Sequence, residues 1–206
     1  MKEITEIVPQ KNNKKRCNVY LNGEFFCGLE LFTVMKNRLK VGVKLTENQL
    51  KEMILEDETE TALNKALTYV SKYMRTKSQV VKYLKSKQFL PETITVVMAK
   101  LEGYGFVNDE SFARAYIDQK KLSKGKRALA FELKMKGVDS KAIDIALTDA
   151  PSEEEGALLI AKKFFSGKDT TFENVQKCYR RLLSRGFDYD IAKWAVDKIK
   201  NENENY

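Results

Sequence analysis

The sequence predicts a mainly α-helical protein: tandem three-helix repeats in an elongated or bowed array, preceded by a small N-terminal β-hairpin or three-stranded segment. Three observations predict it. First, a helix end, a turn and the start of the next helix are written three times, at residues 82–90, 131–139 and 180–188, with the turn positions Gln88, Gly137 and Gly186 spaced 49 residues apart. Columns persist through the copies: Leu84, Leu133 and Leu182; Lys87, Lys136 and Arg185; Phe89, Val138 and Phe187; Val97, Ala146 and Ala195. A fixed period of this size, with apolar and basic columns kept apart, marks a tandem helical array. Second, Asn22-Gly23 between β-formers is a strong short-range hairpin signal. Third, helix-start signatures recur before apolar stripes of helical spacing.

In chain order, residues 4–9 and 16–29 read as strands, and the polar residues 11–15 between them as a solvated turn. Three strands are marginal alone and need the next segment to pack against. Helical periodicity runs from about Leu29 to Leu39 and breaks at Gly42. Thr46-x-x-Gln49 then opens another helix. The first repeat opens near Glu60 with Ala62, Leu63, Ala66, Leu67 and Val70 inward. Thr76-x-x-Gln79 caps its middle helix, with Val80, Val81 and Leu84 inward, and Pro91 suits the first turn of its third, which carries Ile94, Val97, Met98 and Leu101. Asn108-Asp109 caps the second repeat, with Phe112, Ala115 and Tyr116 inward; Leu129 and Leu133 follow, then a left-handed stop at Gly137 and Asp139-Ser140 before Ile143, Ala146 and Leu147. Pro151 separates the repeats, and Ser152-x-x-Glu155 opens the third. Its stripes are Ala157, Ile160, Ala161 and Phe164; Val175, Cys178 and Leu182; Ile191, Ala195 and Val196. The expected division is residues 1–58, repeats at 59–107, 108–150 and 151–200, and a disordered tail at 201–206, whose alternating Asn and Glu have nothing to bury. Units of about fifty residues are too small to be very stable alone, so neighbours must lean on each other.

At 206 residues and 43% hydrophobic the chain can bury a core, and its net charge of +8 points to polyanions or acidic protein surfaces as partners. Histidine is absent, which removes the usual general acid/base and most zinc sites. Three cysteines form no Cys-x-x-Cys pair. With a two-residue turn at Asn22-Gly23, Cys17 shares a face with Val19 and Leu21, and Cys27 the other with Tyr20 and Phe25, so the two are expected not to bridge. Free thiols fit a reducing, cytoplasmic home. No run approaches membrane-spanning length, and the first residues lack an apolar signal region.

Catalytic readings fare badly. Gly125-Lys126 lacks the other residues of a phosphate loop. The acidic runs Glu56-Asp57-Glu58 and Glu153-Glu154-Glu155 read as solvated helix starts favoured by the macrodipole rather than as metal ligands. No cofactor or metal is expected. The basic residues are better placed. Lys87, Lys136 and Arg185 fall at one helix end, with Lys82, Lys85, Lys134, Lys177, Arg180 and Arg181 around them. Lys120, Lys121, Lys124, Lys126 and Arg127 form a second cluster in the loop between the first two helices of the second repeat. Dipole compensation, about 0.3–1 kcal/mol, accounts for one such column. It does not account for the loop cluster, so a basic track for a phosphate backbone or an acidic protein groove is expected. The track lacks the Asn/Gln/Arg mixture of a base-reading helix.

Residues 105–116, containing Gly105, Asp109, Phe112-Ala113 and Tyr116, match the Gly-x-x-x-Asp-x-x-Phe-Ala-x-x-Tyr pattern of the RecX family of bacterial recombination regulators. Glu132-Leu133-Lys134-Met135-Lys136-Gly137-Val138 resembles that family's Glu-Leu-x-x-Lys-Gly-Ile element. Ala66-Leu67-x-Tyr69 through Arg75-Thr76 and Tyr83-Leu84 repeat the likeness in the first unit, and residues 16–24 resemble the N-terminal extension of Gram-positive members. Two departures stand out. Tyr73-Met74-Arg75-Thr76 replaces the family's Arg-x-Arg-Ser, and Gln88 stands where the other copies have glycine, so the first turn is expected to close differently. The resemblance implies a monomeric, non-enzymatic protein that binds the RecA recombinase and its nucleoprotein filament, with possible direct DNA contact, damping strand exchange and co-protease activity. A sequence-tolerant DNA-binding protein and a non-enzymatic adaptor are the alternatives.

Overall fold

A computed structural model describes residues 1–204, with side chains through residue 202. The chain divides into two compact units, Met1–Tyr73 with Val80–Phe106, and Met74–Gln79 with Val107–Tyr206.

The first unit begins with strands β1 (Lys2–Gln10), β2 (Asn13–Leu21) and β3 (Glu24–Glu30), to which β4 (Lys44–Leu45) adds as a short edge. The antiparallel sheet has the order β3-β2-β1-β4. Asn22 (φ 52°) and Gly23 (φ 89°) form the expected hairpin turn. The connection expected at residues 11–15 shrinks to Lys11-Asn12, because Asn13 already pairs with Gln10. A bulge corrects the expected placement of Cys27. Tyr20 pairs with Phe25 but Val19 pairs with Cys27, so one skipped residue turns Cys27 to the face of Val19. Both thiols remain free.

One face of the sheet buries Ile4, Cys17, Val19, Leu21 and Leu29 against α1 (Leu31–Lys36) and the start of α2 (Glu47–Val70), through Val34, Leu50 and Met53. Helix α1 is shorter than its periodicity suggests, since Arg38 turns out of it at φ 48°. The Thr46/Gln49 capping box is present. Beyond it α2 runs 24 residues without interruption, so the boundary placed at 58/59 falls inside a helix. Nothing in Glu56-Asp57-Glu58 breaks a helix, and Asp57 anchors it to the sheet. Its buried carboxylate accepts the Glu30 backbone N–H at 2.5 Å and Arg16 Nη2 at 3.3 Å. Helices α3 (Lys77–Ser86) and α4 (Pro91–Gly103) follow, with Pro91 in the first turn of α4. Gln88 takes φ 64°, and Phe89 N–H reaches Leu84 O as Val138 N–H reaches Leu133 O. The first turn therefore closes like the others, contrary to expectation.

The second unit contains α5 (Asp109–Lys120), α6 (Lys126–Met135) and α7 (Ser140–Thr148), then α8 (Glu154–Phe165), α9 (Phe172–Ser184) and α10 (Tyr189–Glu204). Ala113, Ile117, Leu129, Leu133, Ile143 and Ala146 form one core; Ala157, Ala161, Cys178, Leu182, Phe187 and Val196 belong to the other. Ala113 and Ile117 face inward where Ala115 was expected; Ala115 is exposed, because Phe112 and Tyr116 only flank this stripe. Leu84, Leu133 and Leu182 are each fully buried, and truncating one to Ala should cost about 2–5 kcal/mol. Ser152 Oγ accepts only the Glu154 N–H, so the expected box with Glu155 does not form. Of the tail expected to be disordered, residues 201–204 continue α10, and 205–206 lie outside the described residues.

Within this unit one docking geometry occurs twice, 49 residues apart. The Lys136-Gly137 turn meets Thr76-Lys77-Ser78, and the Arg185-Gly186 turn meets Gly125-Lys126. Thr76 Oγ1 donates to Lys136 O at 2.9 Å, and Gly125 N–H donates to Arg185 O at 3.0 Å. At both turns φ (76° and 83°) favours glycine and space requires it: a Cβ at Gly137 would strike the Ser78 side chain, and one at Gly186 the Ala128 backbone.

Candidate functional site

Each helix starts with backbone N–H groups that no helical carbonyl can satisfy. In the second unit acidic side chains fill this need. Asp109, buried, accepts Lys77 N–H at 2.8 Å and Asp139 N–H at 3.1 Å. Glu153 accepts Lys126 N–H, the position 49 residues after Lys77, at 2.6 Å. In the first unit Glu58 accepts Leu90 N–H at 3.0 Å. Glu58 and Glu153 are thus structural acceptors rather than solvated helix-start charges. The acidic runs concealed this because the partners are 27 and 32 residues away.

The helix-end column is largely engaged inside the protein. Arg185, the C-cap of α9, donates Nη1–H to Ser123 O at 3.1 Å. Lys136, the C-cap of α6, lies 5.1 Å from the ring centroid of Tyr116. In the first unit Lys87 lies 5.6 Å from the ring centroid of Tyr83, which stacks on Tyr69 at 4.2 Å.

The loop cluster is engaged as well. Lys121 pairs with Asp118 at 2.9 Å, Lys124 pairs with Glu132, and Arg127 lies 3.8 Å from Asp188. Lys120 and Lys126 are half-buried. Tyr116 donates its O–H to Glu132 at 2.6 Å. Burial, then that hydrogen bond, pushes the Tyr116 phenol up to about 12, while Lys124 and Tyr116 hold Glu132 below the usual carboxylate range. Lys177 pairs with Glu173 one turn earlier on α9.

Six of the expected cations remain exposed with no carboxylate partner among the described residues: Lys82 and Lys85 on α3, Lys87 just past it, Lys134 on α6, and Arg180 and Arg181 on α9; Lys87 lies against the Tyr83 ring and Arg180 Nε donates to Gln176 O at 3.4 Å. Lys82 and Arg180 share a repeat column, as do Lys85 and Lys134. The available charge therefore lies on the exposed faces of the middle helices, with Lys85, Lys134 and Arg181 in their last turns. The sequence pattern did not separate these from Arg185, because it cannot distinguish a solvated cation from one that bonds a carbonyl across a turn.

Chemistry has little to work with. Among the described residues no group of three His, Cys, Asp or Glu could hold a metal ion. Burial pushes the Cys27 and Cys178 thiols up to about 11, which keeps both protonated near neutral pH. Among the described residues no helix is long and apolar enough to cross a membrane.

Residues 2–46 match the family profile described as the regulatory protein RecX N-terminal domain; residues 62–101 and 108–147 match the first and second three-helix domains of RecX. The regulatory protein RecX of Bacillus licheniformis is 32% identical over 211 residues, spanning 100% of this chain and 80% of the relative. The chain belongs to the RecX family. The RecX protein of Clostridium botulinum is 29% identical over 207 residues, covering 98% of each chain. A crystal structure of regulatory protein RecX superposes with a TM-score of 0.74 at 28% identity, covering 96% of this chain and 100% of that one. RecX from Lactobacillus salivarius superposes at 0.66 and 25% identity, covering 70% of this chain and 98% of the other. The RecX motif residues now have physical roles here. Asp109 ties two helix starts together, Gly137 admits the Ser78 side chain, and Tyr116 orients Glu132. One feature of this RecX chain escaped the sequence reading: Phe131 stands exposed in the column of Lys82 and Arg180. The column alignment itself carried that signal.

Proposed function

We propose that this RecX protein is a non-enzymatic, cytoplasmic, monomeric regulator that binds RecA recombinase filaments on single-stranded DNA and damps strand exchange and co-protease activity. The observation that carries this reading is the recurrence of unpaired, exposed cations on α3, α6 and α9 in a chain of this family. Such side chains attract acidic protomer surface or DNA backbone without chemistry of their own. Regulation follows if the protein binds an inactive or dissociating filament state preferentially, since a ligand shifts an equilibrium only by its differential affinity for the two states. Titration against preformed filaments tests this: ATP turnover and filament length should fall, and no change at saturation rejects it.

Direct DNA contact is a second reading, favoured by the exposed pair Lys82 and Lys85 one turn apart on α3. It predicts binding to naked DNA with a salt slope of roughly −0.9 per phosphate contacted. Co-sedimentation with filaments beside a DNA-only control separates the two readings.

A further inference from the structure

The three middle helices carry different side chains at equivalent outward positions. Position 131 is Phe where the other copies have Lys82 and Arg180, and position 135 is Met where they have Ser86 and Ser184. Phe131 is 66% exposed and Met135 73% exposed. At i and i+4 they are neighbours on one face of α6. Beside them, between α6 and α7, is a cleft of about 200 Å³ lined by Ala130, Phe131, Lys134, Ser140, Ile143 and Asp144. That volume is below the roughly 300–1,000 Å³ of small-ligand pockets and suits a single side chain.

We infer that this α6 face is a protein-docking site, whose cleft takes an apolar side chain flanked by carboxylates on the partner. The inference rests on the proposed function and assigns the protein part of the contact to the second repeat. Charge selects the occupant. Lys134 stands in the cleft wall with no carboxylate of this chain paired to it among the described residues, so it is free to meet an acidic group. Asp144 in the facing helix opposes the continuous negative charge of a phosphate backbone, whereas a polypeptide can set a carboxylate at Lys134 and an uncharged side chain at Asp144. Exposed Phe and Met beside a cation are the side chains enriched at the centres of protein interfaces. The same positions in α3 and α9 hold only cations and serines, which suits a phosphate chain and offers no apolar anchor.

The test uses the full chain with Phe131→Ala and Met135→Ala combined, and Lys134→Glu separately. Thermal unfolding of each should match wild type, because all three side chains are exposed. Filament binding by co-sedimentation should weaken at least about tenfold for each, as loss of an interface anchor does. Affinity for single-stranded DNA alone, read by anisotropy, should be unchanged for the double variant. Unchanged filament affinity overturns the inference while leaving the proposed function standing. An equal loss on naked DNA overturns it in favour of base stacking on Phe131. A wild-type dimer dispersed by the double variant overturns it in favour of a second copy of this chain. Failure of wild type to sediment with filaments at all overturns the proposed function and this inference with it.

Discussion

Asp109 Oδ1 accepts the backbone N–H of Lys77 at 2.8 Å, across 32 residues of sequence, while its Oδ2 accepts that of Asp139. One buried carboxylate thus closes the starts of two helices. Asp109→Ala leaves both donors without an acceptor, and each buried unsatisfied donor costs about 1–3 kcal/mol. Urea unfolding followed by the single Trp, Trp194 in the second unit, should show this loss. Asp109→Asn retains one acceptor oxygen and should lose less.

The two turn glycines should respond unequally to alanine. At Gly186 a Cβ meets the backbone of Ala128, which cannot swing aside; at Gly137 it meets only the Ser78 side chain. Gly186→Ala should be the more destabilising, beyond the roughly 1–2 kcal/mol of the left-handed backbone alone. Ser78→Gly should recover part of the stability lost in Gly137→Ala and none of that lost in Gly186→Ala. Gln88→Gly should be close to neutral, because relief at φ 64° is offset by greater freedom of the unfolded chain. Melting temperatures of the five variants check the order.

Charge reversal should separate binding cations from structural ones. Lys82→Glu with Lys85→Glu, or Arg180→Glu with Arg181→Glu, should leave stability within about 0.5 kcal/mol of wild type and weaken filament binding. Arg185→Glu should lower stability as well, by about 0.5–1.5 kcal/mol, through its lost bond to Ser123 O. Thermal melts run beside co-sedimentation give both readouts. Equal destabilisation by all the reversals would remove the distinction.

Glu132 should shape the acid limb of the stability curve. Lys124 and Tyr116 lower its folded-state pKa below the ordinary 4.5. The folded protein then binds fewer protons than the unfolded chain, so this stabilisation is complete above that ordinary value and is lost as pH falls through the lowered one. The stability gap between wild type and Glu132→Gln should be widest near neutral pH and close in acid. Tyr116 acts at the opposite end. Its phenol is raised from 10.0 to about 12, so its contribution declines as pH rises through that interval. Burial raises the Tyr179 phenol as well, so a spectrophotometric titration should find late-ionising tyrosines, and Tyr116→Phe should lower their number by one.

Cys178 is fully buried and its thiol is raised to about 11. Its alkylation near neutral pH should occur only through unfolding of the surrounding core, and should accelerate in Leu182→Ala. Mass-resolved labelling kinetics would show it.

Much of the fold was legible because repetition and helical spacing are local patterns. Leu84, Leu133 and Leu182 announced the buried side of each middle helix, and Thr46-x-x-Gln49 and Pro91 announced where helices start. Local patterns failed where a distant group intervened. Asp57 reads as one acid in a charged run until the sheet brings Arg16 and the Glu30 N–H to it, and α2 then has no reason to break at residue 58. Cys27 reads as outward until one bulge shifts its register.

The sequence by itself determined the family, the helix count per repeat and the types of side chain available to a partner, since these depend on spacing and composition. Only the tertiary structure decided which cations are available. Arg185 and Lys124 find a carbonyl and a carboxylate within hydrogen-bonding reach, whereas Lys82, Lys85 and Lys134 are exposed with no such partner among the described residues. The physical reason is that a charge already satisfied by its own protein has little left to offer a partner, and such satisfaction depends on distances in space that residue spacing does not encode.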